Sequence, residues 1–375
     1  MPDLPDPAAG RPLVLGVDGG GTGARALVAA RDGRRVSTGT AGGANPVSRG
    51  IEAAVREIGR CIAAALAGID PAEVGEVVLA LAGATTYTVA RDLGLGEMLR
   101  AAGLAGPWRL VSDIEAAFAA GTPRPAGAVL IAGTGAVGGA IEDNALISQV
   151  DGTGYLLGDD GSGFWFGREA VRAALAHLDR RGPATSLTAR CLAAYGLTGR
   201  EPAGANAVSV GRRLVERVYA AAPIDLAERA PLLLEAAGAG DAVALAIARR
   251  GADLLVATAT AAADAGVHHL AGLPAHPPVE WPPSADDTPA AAAKSDESTE
   301  GTGSRSERGT GEPGPVVLAG GLLTRAGPVR DRVVAGIRAG LGVDALTAYD
   351  GAAGAAWLAL VDADRADVVH ARLVR

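Results

Sequence analysis

The sequence has only two cysteines in 375 residues, Cys61 and Cys191. They stand far apart and in no CxxC arrangement, so neither a disulfide framework nor a self-contained zinc or iron–sulfur site is predicted. This cysteine usage favours a reducing, cytoplasmic setting. Aromatic residues are also scarce, at 3% of the chain, and we expect most of them to be needed for the core rather than for stacking on a substrate.

Positive charge is not in excess either, because 34 lysine and arginine residues face 42 acidic residues and give a formal net charge of -8. This balance argues against nucleic acid or an anionic membrane surface as the principal partner. The most apolar helical stretch, residues 242–263, is interrupted by Arg249, Arg250 and Asp253. Such charges exclude a membrane-spanning helix at that place.

Two segments lack the apolar residues that a folded core needs. Residues 1–12 are rich in proline and aspartate and are expected to form a loose, disordered tail. Residues 273–315 are rich in Pro, Ser, Thr, Gly and acidic residues, which predicts a disordered insertion that needs no catalytic role. Because this insertion lies between a long helix and a clear strand, it interrupts a domain rather than joining two.

The most informative feature that is present is the segment LVLGVDGGGT at residues 13–22, in which an apolar strand delivers Asp18 into a glycine-rich turn. A second strand follows, Asp32-Gly33 indicates a hairpin turn, and a third strand is predicted over residues 35–40. The glycines therefore lie in a β-hairpin. A P-loop or a Rossmann fingerprint would lead from a strand into a helix, so both of those nucleotide motifs are excluded.

The chemistry of this first turn suits a nucleotide phosphate. Gly19, Gly20 and Gly21 can take positive φ and carry no Cβ, so their backbone N–H groups could approach phosphate oxygens and form an anion-binding nest. Thr22 adds a hydroxyl donor. Asp18 would repel a phosphate, and its natural partner is therefore Mg²⁺, held through water. The alternative at this point is an ordinary glycine-rich turn with a solvated aspartate.

The same pattern occurs a second time. A buried strand over residues 128–132 leads into Gly133, Thr134 and Gly135, and two further strands separated by a turn follow. The intervening segments alternate between helical and strand patterns. Such a repeat predicts two related α/β domains that face each other across a cleft, each offering one glycine–threonine turn to the phosphates.

Together these motifs resemble the actin-like sugar-kinase ATPase superfamily. The two turns are similar to its phosphate motifs, Asp113 to its connecting acid, and VLAGG at residues 317–321 to its adenosine motif. Three further segments are similar to the BadF/BadG/BcrA/BcrD-type family, and most of all to its N-acetylglucosamine kinases: GGANP at 42–46, LALAGA at 79–84 and GTGYLLGDDGSG at 152–163. The resemblance runs from residue 13 to about residue 360, apart from the insertion.

The resemblance implies two RNase H-like domains around an interdomain cleft. On this basis residues 13–115 form the N-terminal domain, and residues 116–349 form the C-terminal domain that carries the insertion. A C-terminal helix within about residues 350–375 is expected to pack back on the N-terminal domain. The family also suggests a homodimer, although the sequence itself reveals no interface.

The implied activity is ATP- and Mg²⁺-dependent phosphorylation of the 6-hydroxyl of N-acetylglucosamine, with the small-molecule sugar as acceptor. Asp113 is then the catalytic residue that takes the hydroxyl proton. It precedes a predicted helix, whose N–H groups and dipole would keep the carboxylate ionised. On local sequence alone, Asp113 could equally be the N-cap of that helix.

The remaining site residues follow from the same resemblance. Asn45, whose amide can both donate and accept, and Asp159, which can accept from two hydroxyls, are expected to bind the sugar together with Gly154. Gly320 and Gly321 are expected to let the adenosine lie against the backbone.

Other functions stay open at this stage. Ala136, Val137 and Thr153 stand where relatives often carry a polar pair and a tryptophan, so glucosamine or N-acetylmuramic acid kinase activity is an alternative. An ATP-driven activator of an acyl-CoA dehydratase or reductase would carry a cysteine-ligated iron–sulfur cluster at a subunit interface, and Cys61 and Cys191 do not provide the expected pair. A non-catalytic nucleotide-binding regulator is the third alternative.

Overall fold

The computed structural model describes residues 11–46, 50–83, 94–197, 207–270, 314–360 and 366–375. The predicted tail up to residue 10 and residues 273–313 of the predicted insertion lie outside the described residues. Within them, ten strands form two sheets: β1 Leu13–Gly19, β2 Ala24–Ala30, β3 Arg35–Ala41, β4 Val74–Leu81, β5 Trp108–Ser112, β6 Gly127–Ala132, β7 Ala136–Glu142, β8 Ala145–Asp151, β9 Val316–Ala319 and β10 Ala345–Thr347.

The two sheets have the same topology. The first has the strand order β3-β2-β1-β4-β5, and the second has the equivalent order β8-β7-β6-β9-β10. In each sheet three successive antiparallel strands are extended by two parallel strands beside the first of the three. This repeat confirms the fold class predicted from the sequence, α/β with two RNase H-like units.

Helices connect and cover the strands: α1 Ile51–Ala65, α2 Leu95–Ala101, α3 Asp113–Gly121, α4 Gly163–Leu178, α5 Leu187–Ala194, α6 Ala207–Tyr219, α7 Ala230–Gly238, α8 Ala242–Leu270, α9 Pro328–Leu341, α10 Gly351–Leu358 and α11 Ala366–Leu373. Short 3₁₀ helices span Pro71–Glu73 and Pro223–Arg229.

In the described part of the chain no single helix is long and apolar enough to cross a membrane. By length and composition alone, only the pair Pro223–Gly238 and Ala242–Gly266 would suffice, and it is bent by 117°.

Helices α3 and α10 lie between the two sheets. Helix α10 approaches β1 so closely that a Cβ added at Gly16 would overlap the backbone of the helix. Helix α3 packs against α10 and shares two cores: Ala116 and Ala119 lie in the core of the first sheet, whereas Ile114 and Phe118 lie in a core with strands of the second. The N-terminus of α3 is therefore held in a fixed position relative to both sheets.

Gly354 marks the contact between the two central helices, because a Cβ added there would overlap the carbonyl oxygen of Ala116 on α3. We expect Gly354→Ala to lower the melting temperature by roughly 2–12 °C, since overpacking costs about 1–3 kcal/mol and each kcal/mol shifts Tm by about 2–4 °C in a chain of this size. Thermal unfolding followed by circular dichroism measures the change.

The matched control is Gly340→Ala on helix α9, where no atom lies within 4 Å of an added Cβ. This variant should be neutral or slightly more stable, because alanine loses less backbone entropy on folding than glycine. Equal melting temperatures for the two variants would contradict the close helix contact.

Candidate active site

The first glycine turn joins β1 to β2 in the hairpin predicted from the sequence. The Gly20 N–H donates to Gly23 O at 3.0 Å, and the Gly20 carbonyl accepts the Ala44 N–H at 2.8 Å. Gly21 and Thr22 are exposed at the tip. The second hydrogen bond holds the loop that carries half-buried Asn45 beside this turn.

In the first turn, Gly19 is required for space, and none of the three glycines is required for an unusual backbone angle. None of Gly19, Gly20 and Gly21 adopts positive φ, so the expected left-handed nest is absent from this turn. A Cβ at Gly19 would lie 2.5 Å from Cδ2 of Leu81, whereas one at Gly21 would have no atom within 4 Å. Gly19 therefore permits strand packing, and Gly21 leaves open room above the backbone.

The second turn, Gly133 to Gly135, is closed by a hydrogen bond from the Gly133 N–H to Gly135 O at 2.9 Å. Helix α4 begins against this turn: the Gly163 N–H donates to Gly133 O at 2.8 Å, and the Phe164 N–H donates to Thr134 O at 3.1 Å. Two of the donors that a helix N-terminus leaves without intrahelical partners are thus used to brace the turn. Sequence reasoning missed this brace.

Asp18 and Asp113 lie at the same edge of the first sheet. Strand register aligns Asp18 with Ala80 of β4 and Ala80 with Val111 of β5, so the parallel strands β1 and β5 flank β4 and end at the same edge of the sheet. The charge of Asp113 acts on Asp18. The structure therefore brings these two predicted site residues together, as a metal-binding and a catalytic acid of one site would need to be.

Burial raises the pKa of Asp18 to about 7, and the neighbouring carboxylates of Asp113 and Asp350 contribute to the rise. The guanidinium of Arg25, which stands opposite Asp18 in the β1–β2 register, acts in the other direction. A buried carboxylate among like charges disfavours its ionised form. The arrangement therefore favours a cation or a proton at Asp18.

Asp113 is the first residue of α3, and Ser112 is its N-cap. Ser112 Oγ accepts the Glu115 N–H at 3.2 Å, and Glu115 Oε2 accepts the Ser112 N–H at 2.6 Å, which completes a capping box. The alternative that Asp113 is the helix cap is therefore wrong. Its carboxylate is left available for chemistry.

The expectation that the helix start keeps Asp113 fully ionised needs a correction. The N–H groups of Asp113 and Ile114 do favour the ionised form, yet burial outweighs them and raises the pKa of Asp113 to about 6. At neutral pH the carboxylate is still mostly ionised and more basic than an exposed aspartate. That is the direction a general base requires.

The start of helix α10 adds a part of the site that sequence reasoning missed. A Cβ at Gly351 would lie 2.5 Å from Oδ2 of Asp18, so only glycine lets the helix begin against that carboxylate. Asp350, the residue before it, pairs with Arg35 at 2.7 Å. An aspartate and a glycine directly before an alanine-rich run can mark the start of a helix, and Asp350-Gly351 fits this pattern. The contact with Asp18 could not be predicted from it, because more than 300 residues of sequence separate the two positions.

Asp159 lies against the second glycine turn, because a Cβ at Gly135 would lie 2.8 Å from Asp159 Oδ2. The backbone of Ala136 and Gly154 favours the ionised form of its carboxylate. Burial raises the pKa of Asp159, and the charge of Asp151 adds to the rise. A carboxylate can accept several hydrogen bonds, so Asp159 is a candidate to bind a ligand beside this turn.

Gly320 and Gly321 differ in what they do. Gly320 has φ +86°, and a Cβ there would overlap the backbone of Ala132 at the end of β6. The same Ala132 carbonyl accepts the Leu322 N–H at 3.1 Å. Gly320 is thus needed to dock this loop beside the second turn, while Gly321 is exposed with no atom within 4 Å of an added Cβ.

The acid cluster fits a divalent cation that keeps most of its own water. In the ranges that the structure covers, no three or more His, Cys, Asp or Glu side chains are arranged as a protein-built metal site. Asp18 would thus hold the ion through its bound water, which suits Mg²⁺ because this ion keeps much of its hydration shell.

Known proteins resemble the chain in sequence and in fold. It is 29% identical over 176 residues to the N-acetylmuramic acid/N-acetylglucosamine kinase of Clostridium acetobutylicum, a match that covers 46% of this chain and 57% of that protein. It is 27% identical over 206 residues to the N-acetyl-D-glucosamine kinase of Dictyostelium discoideum, covering 50% and 62%. Both matches span less than two thirds of the relatives' length.

The fold is shared with a solved Chromobacterium violaceum protein that is provisionally named N-acetylglucosamine kinase. The superposition has a TM-score of 0.59 and covers 93% of this chain and 99% of the other, at 21% identity. Residues 15–264, more than half of the chain, match the BadF/BadG/BcrA/BcrD ATPase family, and the chain therefore belongs to that family.

Proposed function

We propose that this chain is an ATP-dependent amino-sugar kinase that transfers the γ-phosphoryl group of ATP to the 6-hydroxyl of N-acetylglucosamine. The observation that carries the proposal is the pair of half-buried acids, Asp18 and Asp113, at one edge of a sheet whose first hairpin presents an open glycine turn. The names of the two curated relatives, both amino-sugar kinases, support the choice of acceptor.

Asp113 is the general base of the proposed reaction. Its carboxylate takes the proton of the 6-hydroxyl while that oxygen attacks the γ-phosphorus, and the bond from phosphorus to the bridging oxygen of ADP breaks. A raised pKa makes Asp113 a stronger base than a solvated aspartate. The capping box of Ser112 and Glu115 fixes the helix start, so the carboxylate is oriented without acting as a cap.

The two turns hold the phosphates in this proposal. Exposed Gly21 and Thr22 would contact the phosphates from the first turn, and half-buried Gly133, Thr134 and Gly135 would contact them from the braced second turn. Exposed Gly321 leaves room for the adenosine to approach the backbone. Mg²⁺ bound near Asp18 would neutralise phosphate charge during transfer.

The acceptor is held by Asn45 and Asp159, with Gly154 in the loop between them and the second turn. Asn45 is kept beside the first turn by the neighbouring hydrogen bond from Ala44, and Asp159 lies against Gly135 of the second turn. Amide and carboxylate groups from opposite sides can select the hydroxyl pattern of a sugar. N-acetylmuramic acid is the second candidate acceptor, because the Clostridium relative is named for both sugars.

The positions of the cysteines oppose the activator function. Cys61 lies in the core of the first sheet and Cys191 lies in the core of the second. Burial raises the pKa of their thiols to about 12 and about 11. Cluster ligation needs thiolates that converge on one site, and these two thiols are buried apart.

A coupled assay of ADP release tests the proposal with N-acetylglucosamine, N-acetylmuramic acid, glucosamine and glucose as acceptors. We expect N-acetylglucosamine to give the highest kcat/KM, and we expect NMR of the product to place the phosphate on O6. Preference for N-acetylmuramic acid would select the second candidate. If no sugar stimulates ADP release above the rate with water, the kinase function is wrong.

A further inference from the structure

Asp151, the last residue of β8, makes contacts that the proposed reaction does not use. Its Oδ1 accepts the Asp159 N–H at 2.8 Å, and its Oδ2 accepts the Asp160 N–H at 3.0 Å. One carboxylate thus holds two successive amides of the loop that carries the proposed sugar-binding acid. Hydrogen bonds to a charged acceptor are shorter and stronger than neutral ones.

The loop is shaped around this carboxylate. Asp151 itself has φ 60°, and Gly152 and Gly154 also have positive φ, so the chain turns sharply as soon as β8 ends. A Cβ at Gly158 would overlap Oδ1 of Asp151. Glycine at position 158 therefore lets the chain return against Asp151 immediately before Asp159.

The contacts close a ring between the loop and the second phosphate turn. Asp151 pairs with Val137 in the β7–β8 register. Ala136, the residue before Val137, directly follows the turn, and its backbone acts on the charge of Asp159. Asp159 Oδ2 would lie only 2.8 Å from a Cβ at Gly135, and Asp151 holds the Asp159 N–H, so a displacement of Asp159 is transmitted to Gly135.

Electrostatic repulsion opposes this arrangement. Asp151 and Asp159 carry like charges, and Asp160 follows immediately. Two backbone N–H donors hold Asp151 in place, whereas Arg168 and Arg250 offset the charge of Asp160. An asparagine at position 151 would be uncharged, but its amide group would meet one of the two N–H donors with another donor.

We propose that Asp151 is a positioning residue of the acceptor site: it fixes Asp159 between the sugar and the second phosphate turn and so makes sugar binding and nucleotide binding cooperative. The proposal rests on the proposed amino-sugar kinase function. It assigns no contact between Asp151 and substrate.

The test compares Asp151→Asn with Asp143→Asn. Asp143 is an exposed residue with positive φ in the turn at the other end of the β7–β8 hairpin, so the control removes the same charge from the same hairpin. Steady-state kinetics give kcat and the KM for N-acetylglucosamine. Titration with a non-hydrolysable ATP analogue and Mg²⁺, with and without saturating sugar, gives the coupling between the ligands.

We expect Asp151→Asn to raise the sugar KM by about 10- to 100-fold, since loss of a hydrogen bond to a charged group costs about 1.5–3 kcal/mol. The kcat at saturating sugar should change by less than about threefold, because Asp113 lies on another element. In the wild type the sugar should tighten analogue binding by about fivefold or more, the lower range of typical coupling, and the variant should lose this effect. Asp143→Asn should behave as the wild type.

Hydrogen exchange at the amides of Asp159 and Asp160 provides a readout that needs no substrate. We expect faster exchange in Asp151→Asn, and the same change in Gly158→Ala, which cannot fit beside Asp151. If Asp151→Asn leaves exchange, sugar KM and ligand coupling unchanged, the positioning role is wrong; equal effects of Asp143→Asn would also overturn it. If the wild type phosphorylates no sugar, the proposed function fails, and exchange at these amides still decides whether Asp151 positions Asp159.

Discussion

Replacing Asp113 with asparagine should lower kcat by about 10²–10⁴-fold, the usual contribution of a general base. The amide keeps the size of the side chain and its place at the start of α3, because Ser112 and Glu115 supply the cap. The substitution removes proton acceptance together with the negative charge that acts on Asp18. The coupled ADP-release assay at saturating ATP and N-acetylglucosamine measures the loss.

The pH profile separates this role from a structural one. At saturating Mg·ATP the bound cation keeps Asp18 ionised. With the pKa of Asp113 near 6, the wild-type kcat/KM for the sugar should then fall as the pH drops below about 6, because the protonated carboxyl cannot accept a second proton. The residual activity of Asp113→Asn should lose this dependence. Asp367→Asn, the same change in the first turn of helix α11, should retain full activity. Near-normal kcat in Asp113→Asn would reject the base assignment and leave the kinase function standing.

Much of the fold could be predicted because the sequence repeats it. A strand, a glycine turn and two more strands occur twice, and hydrophobic patterning suffices to place such local elements. The partnership of Asp18 and Asp113 followed from family resemblance, and the parallel register of β1, β4 and β5 explains it physically. For Asp18 and Asp113, the motifs in the sequence and the strand order of the first sheet lead to the same placement.

The errors have physical causes. Both Ser112 and Asp113 are good N-cap residues, and the Ser112-x-x-Glu115 spacing that decides between them was present in the sequence but was not used. The glycines of the first turn were expected to take positive φ, whereas the close approach of Leu81 is what requires Gly19. Contacts of this kind depend on tertiary packing. The roles of Gly351 and Asp151 were missed for the same reason, since each depends on a residue whose position only the fold determines.

Replacing Asp18 with asparagine should lower kcat/KM for Mg·ATP by about 10²–10³-fold, because a bound metal contributes several kcal/mol of charge stabilisation to phosphoryl transfer.

The same Asp18→Asn variant should be more stable than the wild type at neutral and alkaline pH. A carboxylate whose pKa folding raises to about 7 binds its proton more tightly in the folded protein than in the unfolded chain. Its contribution to stability therefore falls as the pH rises from about 4 towards 7 and above.

Asp18→Asn should accordingly have a higher melting temperature at pH 8, and the difference from the wild type should shrink as the pH is lowered towards 4. Asp32→Asn, in the exposed turn between β2 and β3, is the matched control and should change neither property. A melting temperature of Asp18→Asn that lies below that of the wild type at pH 8 would contradict the buried, proton-binding state of Asp18.

Proton release connects the stability effect to metal binding. A cation near Asp18 favours the ionised carboxylate, so binding of preformed Mg·ADP at pH 6 should release up to about one proton, and the release should vanish by about pH 9. Calorimetry in buffers of different ionisation enthalpy counts these protons. Asp18→Asn should abolish the release, whereas Asp32→Asn should retain it. An equal proton count in Asp18→Asn and the wild type would mean that the cation binds away from Asp18, even if catalysis were impaired.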